Sequence, residues 1–121
     1  MVAEPLTSET TARARSSIVE LDAARLQERF AGLGLTRIVE AAERRPVRVA
    51  GEIRGTSQSG YDDAPRLAVT IDDGTGTALL VFSGRRRIRG FDAGRTVIVE
   101  GVGRREHGRL VIHNAAYTLL A

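Results

Sequence analysis

Residues 67–83 read LAVTIDDGTGTALLVFS, and this stretch decides the fold. Leu67, Val69 and Ile71 alternate with smaller or polar residues, which is the two-residue period of a strand with one buried face. Residues 73–76 are Asp-Gly-Thr-Gly, a tight-turn sequence because glycine tolerates positive φ. Residues 77–83 are almost continuously apolar, as in a strand that is covered on both sides. The stretch therefore predicts a hairpin of two strands.

Three more strands are predicted on the two sides of this hairpin. One precedes it, because residues 47–54 again alternate apolar and polar side chains. Two follow it, because residues 95–103 contain Val-Ile-Val, and residues 109–120 contain Leu-Val-Ile and then Tyr-Thr-Leu-Leu. The sequence thus predicts five short strands in one domain of residues 46–121.

The connections between the strands indicate their arrangement. A long polar loop, residues 56–65, separates the first two strands, residues 84–94 link the third to the fourth, and residues 107–108 form a turn before the fifth. Gly51 and Gly101 interrupt strands where a barrel needs a sharp bend. These features match a mainly β fold, the five-stranded Greek-key barrel called the OB-fold, with an SH3-like barrel as the alternative.

The segment before the barrel is predicted to be helical. Residues 1–16 are polar and without periodicity, so we expect a flexible tail there. Residues 17–45 are expected to form an N-terminal α-helical segment that packs on the barrel. Ser17 and Glu20 have the spacing of a capping box. A second, short helix is expected over residues 36–44. The apolar stripe of the first helix consists of Val19, Ala23, Leu26, Phe30 and Leu33.

Several classes of site are excluded by composition. The 121-residue chain contains no cysteine, which rules out disulfides, thiolate metal sites and cysteine nucleophiles. It has no run of about 18 apolar residues, and residues 1–11 lack the layout of a signal peptide, so a soluble, cytoplasmic protein is expected. His107 and His113 have no partner at metal-ligand spacing. We therefore expect no metal, no cofactor and no enzymatic activity.

The positive charge of the chain is concentrated in one stretch. All 18 cationic residues are arginine, against 15 acidic residues. Residues 85–109 hold eight arginines and three acidic residues, whereas residues 1–46 hold seven of each. An arginine-rich composition is also typical of GC-rich genomes, so the location of the arginines carries the argument. Because guanidinium suits phosphate, this clustering indicates a polyanionic partner.

Several stretches of the chain also resemble a known family. They are VRVAGEI at 47–53, LAVTIDDGTG at 67–76, LVFSGRRRI at 80–88, GRTVIVEG at 94–101 and GRLVI at 108–112. Residues 46–120 resemble the OB-fold nucleic-acid-binding family, in particular its small actinobacterial members of uncharacterised role. They are more distantly similar to OB domains of replicative polymerase subunits and of aminoacyl-tRNA synthetase anticodon-binding modules. The resemblance implies nucleic-acid binding by analogy of fold.

The candidate binding residues are arginines in three places. The run GRRRIRG at 84–90 follows the third strand, and its consecutive cations repel one another unless an anion is near. The run RREHGR at 104–109 lies in the loop that, with the first loop, flanks the groove of an OB-fold. Two arginines border the first loop. A solvated surface loop is the alternative for each run. The candidate phosphate contacts are Arg54, Arg66, Arg85, Arg86, Arg87, Arg89, Arg104, Arg105 and Arg109.

One aromatic residue is placed to stack on a base. Tyr61 lies in the predicted first loop, where stacking contributes about 1–3 kcal/mol, although the adjacent Asp62 and Asp63 oppose a phosphate there. Phe82, Phe91 and Tyr117, the aromatic residues of and after the third strand, are expected to pack in or beside the core, with base stacking as the alternative for Phe82.

Together these residues predict a non-catalytic protein that holds nucleic acid on an arginine-rich face, single-stranded DNA or RNA in preference to duplex. The alternative is a protein-interaction module, in which the N-terminal helix docks onto a larger nucleic-acid-processing complex. No membrane partner is expected, and the sequence does not indicate an oligomeric state.

Overall fold

The computed structural model describes residues 8–120, with side chains from residue 15 onward. An α-helix, α1 (Ser8–Ala31), and a 3₁₀ helix (Ile38–Glu40) precede six strands. The strands are β1 (Pro46–Tyr61), β2 (Ala64–Asp72), β3 (Thr77–Ser83), β4 (Thr96–Glu106), β5 (Arg109–His113) and β6 (Ala116–Leu119). They form one sheet in the order β1-β2-β3-β5-β4-β6, and β1 also pairs with β4, which closes the sheet. The predicted mainly β, Greek-key barrel is confirmed.

The first strand bends, so that its two halves pair with different strands of the barrel. Residues 46–52 of β1 pair with β4, and residues 52–61 pair with β2. The register shifts between Ile53 and Gly55, so that Arg54 is the extra residue of a bulge at the corner. Gly51 allows the walls to approach, because a Cβ on it would lie 2.9 Å from Cβ of Ile71.

The long loop predicted over residues 56–65 is wrong, since a β-hairpin occupies these residues. Backbone pairing runs from Gly55 opposite Thr70 to Tyr61 opposite Ala64, which leaves a two-residue turn at residues 62–63. The end of β1 is polar because both of its faces are exposed beyond the core. Here the polar sequence reflects solvent on both sides of a strand, and not a loop.

The fifth predicted strand, residues 109–120, is divided into β5 and β6. Asn114 interrupts it with a φ of 52°. This residue donates its N–H to the carbonyl of Val81 at 2.7 Å and accepts from the N–H of Ser83 at 2.9 Å. Before the break the chain pairs with β3 and β4, and after it with β4 alone. The closed part of the sheet therefore contains five strands, and β6 is an extension of the fifth.

Apolar side chains fill the barrel and close both of its ends. Ile38 of the 3₁₀ helix is fully buried at the end where β3 begins. Ile88 and Phe91, from the connection between β3 and β4, are buried at the other end. Phe91 contacts Phe82 and Tyr117 edge to face, with ring centroids 5.7 and 4.8 Å apart. The three aromatic rings therefore pack as expected.

The helix packs on the barrel through its C-terminal half only. Leu26 and Phe30 form a small cluster with Ala50 of β1 and Ile98 of β4. Val19, which belongs to the predicted stripe, is 66% exposed. The predicted apolar stripe therefore identifies the packing face of α1 at Leu26 and Phe30, but not at Val19.

The boundaries of the helical segment differ from those predicted. The helix begins at Ser8 and not at Ser17, which corrects the tail predicted over residues 1–16, and residues 1–7 lie outside the described part of the chain. Residues 8–15 are SETTARAR, where alanine, arginine and glutamate favour a helix without marking a buried face. The predicted second helix, residues 36–44, is reduced to the 3₁₀ helix. Neither described helix has the length and apolar character needed to cross a bilayer.

Candidate functional site

The outward side of β2, β3 and β5 forms a continuous face whose single acidic residue, Asp72, lies at the end of β2 and pairs with Arg54. Alternate residues of these strands fill the core, and the residues between them point outward. The register places Val81 beside Ala68 on one side and beside His113 on the other. We call the following residues the outer face: Arg66, Ala68, Thr70, Leu79, Val81, Ser83, Arg109, Val111 and His113. It combines two arginines and a histidine with small or aliphatic side chains.

The connection between β3 and β4 brings four arginines to one end of the outer face. Gly84 adopts a φ of 80° and donates its N–H to the carbonyl of Pro65 at 2.8 Å, which holds the connection against β2. The buried Ile88 and Phe91 anchor it further along. The residues between these fixed points are exposed arginines, namely Arg85, Arg86, Arg87 and Arg89.

Arg86 contacts the β1–β2 turn across this end of the barrel. Its Nη2 lies 2.7 Å from Oδ1 of Asp62, whose side chain is fully exposed. Exposed pairs of this kind contribute at most about 1 kcal/mol, so a phosphate can displace the aspartate. Arg86 and Arg87 also line a cleft of about 310 Å³ with Thr56 and Gln58 of β1. The cleft joins the β3–β4 connection to the outer part of the β1–β2 hairpin, residues 55–70, which we call the hairpin arm.

Tyr61 stands at the tip of the same hairpin arm. It is 80% exposed, more than any other aromatic residue in the described part of the chain. Because Asp62 follows it directly and pairs with Arg86, the ring lies at the end of the barrel that carries the arginine connection. The predicted stacking residue and the predicted triple-arginine loop are therefore neighbours.

The turn between β4 and β5 carries arginines at the other end of the outer face. Arg104 and Arg109 are exposed, and Nε of Arg104 lies 3.5 Å from Oε1 of the exposed Glu106. The seven residues of β3 separate this turn from the arginine connection. At a rise of about 3.3 Å per residue, the two basic ends are roughly 20 Å apart.

Arg105 is bound within the protein. Its guanidinium donates to the carbonyl oxygens of Ile38 at 2.8 Å, Ala41 at 3.2 Å and Val39 at 3.3 Å, all in or next to the 3₁₀ helix. A further donation reaches the carbonyl of Gly108 at 3.4 Å. The carbonyl of Ile38 also accepts the N–H of Ala41 at 3.2 Å, and Arg105 adds a charged donor to the carbonyls at the end of the 3₁₀ helix. We assign it to the fold.

Arg54 lies at the corner of β1, between α1 and the barrel and beside the end of β2. Its Nη1 is 3.3 Å from Oε1 of Glu52, its Nε is 3.7 Å from Oδ2 of Asp72, and its Nη2 contacts Oδ2 of Asp22. Three carboxylates therefore surround the residue that the sequence placed beside a ligand. The one partner on α1, Asp22, is 32 residues away in the chain, and no spacing rule indicates it.

Glu52 is the centre of this ion-pair network. Its side chain is 10% exposed, and Oε2 lies 3.2 Å from Nη2 of Arg25 and 3.5 Å from Nη1 of Arg29. The hydrogen bond from Arg25 is the main reason that the pKa of Asp22 lies below its ordinary value. The hydrogen bond and charge of Arg54 lower it further, and desolvation opposes the shift. The network fastens the helix to β1.

The structure thus divides the candidate residues into three groups. One basic end contains Tyr61, Arg66, Arg85, Arg86, Arg87 and Arg89, the other contains Arg104, Arg105 and Arg109, and Arg54 stands apart. Among the described residues, no carboxylate lies within 4 Å of the guanidinium of Arg66, Arg85, Arg87, Arg89 or Arg109. His113, which was not a candidate, lies on the outer face. In the same part of the chain, no three histidine, aspartate or glutamate side chains are grouped to hold a metal.

Comparisons with known proteins agree with the strand order. No family model and no curated protein sequence matches the chain. The second OB-fold domain of replication protein A from Methanococcus maripaludis matches 70% of this chain and 93% of that domain, with a TM-score of 0.54 and 13% identity. RecG bound to a three-way DNA junction matches 69% of this chain and only 12% of RecG, with a TM-score of 0.58 and 19% identity. The strand order and these likenesses together show that the chain has the OB fold.

Proposed function

We propose that this chain binds single-stranded nucleic acid, DNA or RNA, and performs no chemistry on it. The observation that carries the proposal is the outer face, which has arginines at both ends and a single carboxylate on the same side, Asp72, at the end of β2 and 3.7 Å from Nε of Arg54. A polyanion lying along β3 and β5 meets cations at its two ends, and Asp72 lies to one side of this path. One of the structures similar to this chain, RecG, is bound to DNA, which supports the proposal through the fold.

The length of the face sets the length of strand that fits. Roughly 20 Å between the basic ends accommodates about four to six nucleotides, at about 3.4 Å per stacked nucleotide. The strand's phosphates contact Arg85, Arg87 and Arg89 at one end and Arg104 and Arg109 at the other. Arg86 joins them when its exposed pair with Asp62 opens.

The middle of the face favours unpaired bases. The partly exposed Ala68 and Leu79 offer small apolar contacts that the bases of a single strand can reach, whereas the bases of a duplex are stacked on one another. Tyr61 stacks one base at the end of the hairpin arm. Because no aromatic side chain lies on the face itself, binding is mainly electrostatic, tolerant of sequence and modest in affinity.

Fluorescence anisotropy with labelled single-stranded DNA, single-stranded RNA and duplex tests the proposal. A variant with Arg85→Ala, Arg86→Ala and Arg87→Ala is compared with one carrying Arg15→Ala, Arg37→Ala and Arg48→Ala. The second set has the same charge change at exposed arginines off the outer face. Loss of two exposed charge-assisted contacts, at about 1 kcal/mol each, weakens binding roughly 30-fold. Equal affinity of the two triple variants would contradict the proposal.

A protein-interaction role is the second candidate, and one observation favours it. Ile18, Val19 and Leu21, on the half of α1 that does not pack on the barrel, are at least 66% exposed. Exposed apolar residues grouped in this way are typical of interaction sites. The supporting result is co-purification of one defined protein that survives nuclease treatment and is lost with Ile18→Gln and Leu21→Gln.

A further inference from the structure

Arg44 is held in a strained backbone conformation beside β4. Its φ is 62°, in the left-handed region, where a residue with a Cβ is destabilised by about 1–2 kcal/mol. Its N–H donates to the carbonyl of Gly103 at 2.9 Å. The carboxylate of the preceding residue, Glu43, accepts the backbone N–H of Arg105. Two contacts thus fix the turn against β4, and strain maintained in this way is found at ligand-binding positions.

The Arg44 side chain lines a groove on the outside of β4 and β5. The groove has a volume of about 350 Å³, and the residues around it are Arg44, Val102, Gly103, Arg104, Val111 and His113. Val102 is 55% exposed and provides an apolar wall. Two guanidinium groups and an imidazole therefore surround an aliphatic surface, and none of the lining residues is acidic. This chemistry fits a phosphate together with its sugar.

The groove is continuous with the outer face. Val111 lies beside Leu79 of β3 on one side and beside Arg104 of β4 on the other. His113 lies beside Val81 of β3. A nucleic-acid strand that leaves the outer face by crossing β5 between Val111 and His113 therefore enters the groove without passing a carboxylate.

We propose that this groove is a further phosphate-binding subsite, in which Arg44, Arg104 and His113 donate to one phosphodiester of the bound strand. This inference rests on the proposed function and extends it. The strand then crosses β5 and β4, which adds about one or two nucleotides to the site, given about 4.8 Å between strands and about 3.4 Å per nucleotide. The sugar lies on the exposed Val102.

The best test replaces Arg44 by glycine. Glycine adopts positive φ without penalty, so Arg44→Gly removes the guanidinium and relieves the strain, and the variant stays folded. Its matched control is Arg45→Ala, the adjacent exposed arginine, which does not line the groove. Arg44→Lys keeps the charge, and His113→Ala removes the imidazole.

The probe is a labelled twelve-nucleotide oligothymidylate, titrated at salt concentrations from about 50 to about 200 mM. For Arg44→Gly we expect about fivefold weaker binding at low salt, from the loss of one charge-assisted contact of about 1 kcal/mol. The slope of log K against log salt falls by about 0.7, the value for one single-strand phosphate. Arg44→Lys restores part of the affinity, His113→Ala also weakens binding, and Arg45→Ala leaves affinity within about twofold of the natural protein.

The two proposals fail in different ways. If Arg44→Gly binds as tightly as Arg45→Ala, while the triple variant at Arg85, Arg86 and Arg87 is weakened, the groove carries no phosphate and the proposed function stands. If the natural protein binds no oligonucleotide at all, the proposed function is wrong and the groove inference falls with it.

Discussion

Replacing Glu52 by glutamine removes the one carboxylate that three arginines share between α1 and the barrel. Arg25, Arg29 and Arg54 each place a guanidinium nitrogen 3.2 to 3.5 Å from its oxygens. Glutamine has nearly the same volume and keeps one acceptor oxygen. The substitution therefore reports the charge of Glu52 and leaves the packing of the helix on β1 unchanged.

The magnitude follows from the burial of the two sides of the network. Removing one partner of a fully buried charge pair destabilises a protein by about 3–5 kcal/mol. Here the carboxylate is 10% exposed, but the guanidinium side chains are 33 to 51% exposed, so water screens them. Exposed ion pairs contribute at most about 1 kcal/mol. We therefore expect Glu52→Gln to lower the free energy of unfolding by about 2 kcal/mol, between the values for an exposed pair and a buried pair.

Urea denaturation followed by far-UV circular dichroism, at neutral pH and low salt, measures this loss. With a slope of about 1–3 kcal/mol per molar, the urea midpoint falls by about 1 M. Glu100→Gln on β4 is the control, because Glu100 is exposed and, among the described residues, has no cation within 4 Å. We expect the control to stay within about 0.5 kcal/mol of the natural protein. A Glu52→Gln midpoint equal to that of the control would refute the reasoning.

Three further outcomes are expected. Arg105→Ala lowers the free energy of unfolding by about 1–3 kcal/mol in urea denaturation, because carbonyls of the 3₁₀ helix lose a charged donor; a change below about 0.5 kcal/mol would contradict this role. The lowered pKa of Asp22 stabilises the fold fully above its unfolded value of about 3.9, and this contribution is lost as the pH falls through the folded pKa; urea midpoints at about pH 6 and about pH 3 should therefore differ less in Asp22→Asn than in the natural protein. Tyr61→Ala weakens binding of single-stranded DNA by at least about fivefold in anisotropy titrations, and Tyr61→Phe does not, because stacking contributes about 1–3 kcal/mol; equal losses in the two variants would exclude stacking.

Most of the strands could be predicted from the sequence because a buried face sets a period of two or, in β3, a continuous apolar run. The alternation at Leu67, Val69 and Ile71 gave β2 correctly. The same method missed the end of β1, where both faces are exposed and the sequence shows no alternation. It also missed the start of α1, where no side of the helix is marked by apolar residues. The period of apolar residues in a sequence reflects which side chains are buried. Helices and strands that bury no side chains therefore cannot be predicted from it.

The site could be predicted only in part, because the position of a guanidinium group depends on contacts with residues that are distant in the sequence. The exposure of Arg85, Arg87 and Arg89 followed from their position in a connection between strands. The contacts of Arg54 with Asp22 of α1 and of Arg105 with carbonyls of the 3₁₀ helix did not, because these groups meet only in the folded barrel. Alternation along β5 could have indicated His113, which shares a side with Arg109 and Val111. Nothing in the sequence indicates the positive φ of Arg44.

The salt dependence of single-strand binding tests the central claim most directly. The dissociation constant for a labelled oligonucleotide is measured for the natural protein between about 50 and about 200 mM salt. If the five arginines of the two basic ends neutralise phosphates, the slope of log K against log salt is about −3.5, and binding weakens on the order of a hundredfold over this range. An affinity that does not change with salt would contradict an arginine-lined nucleic-acid site.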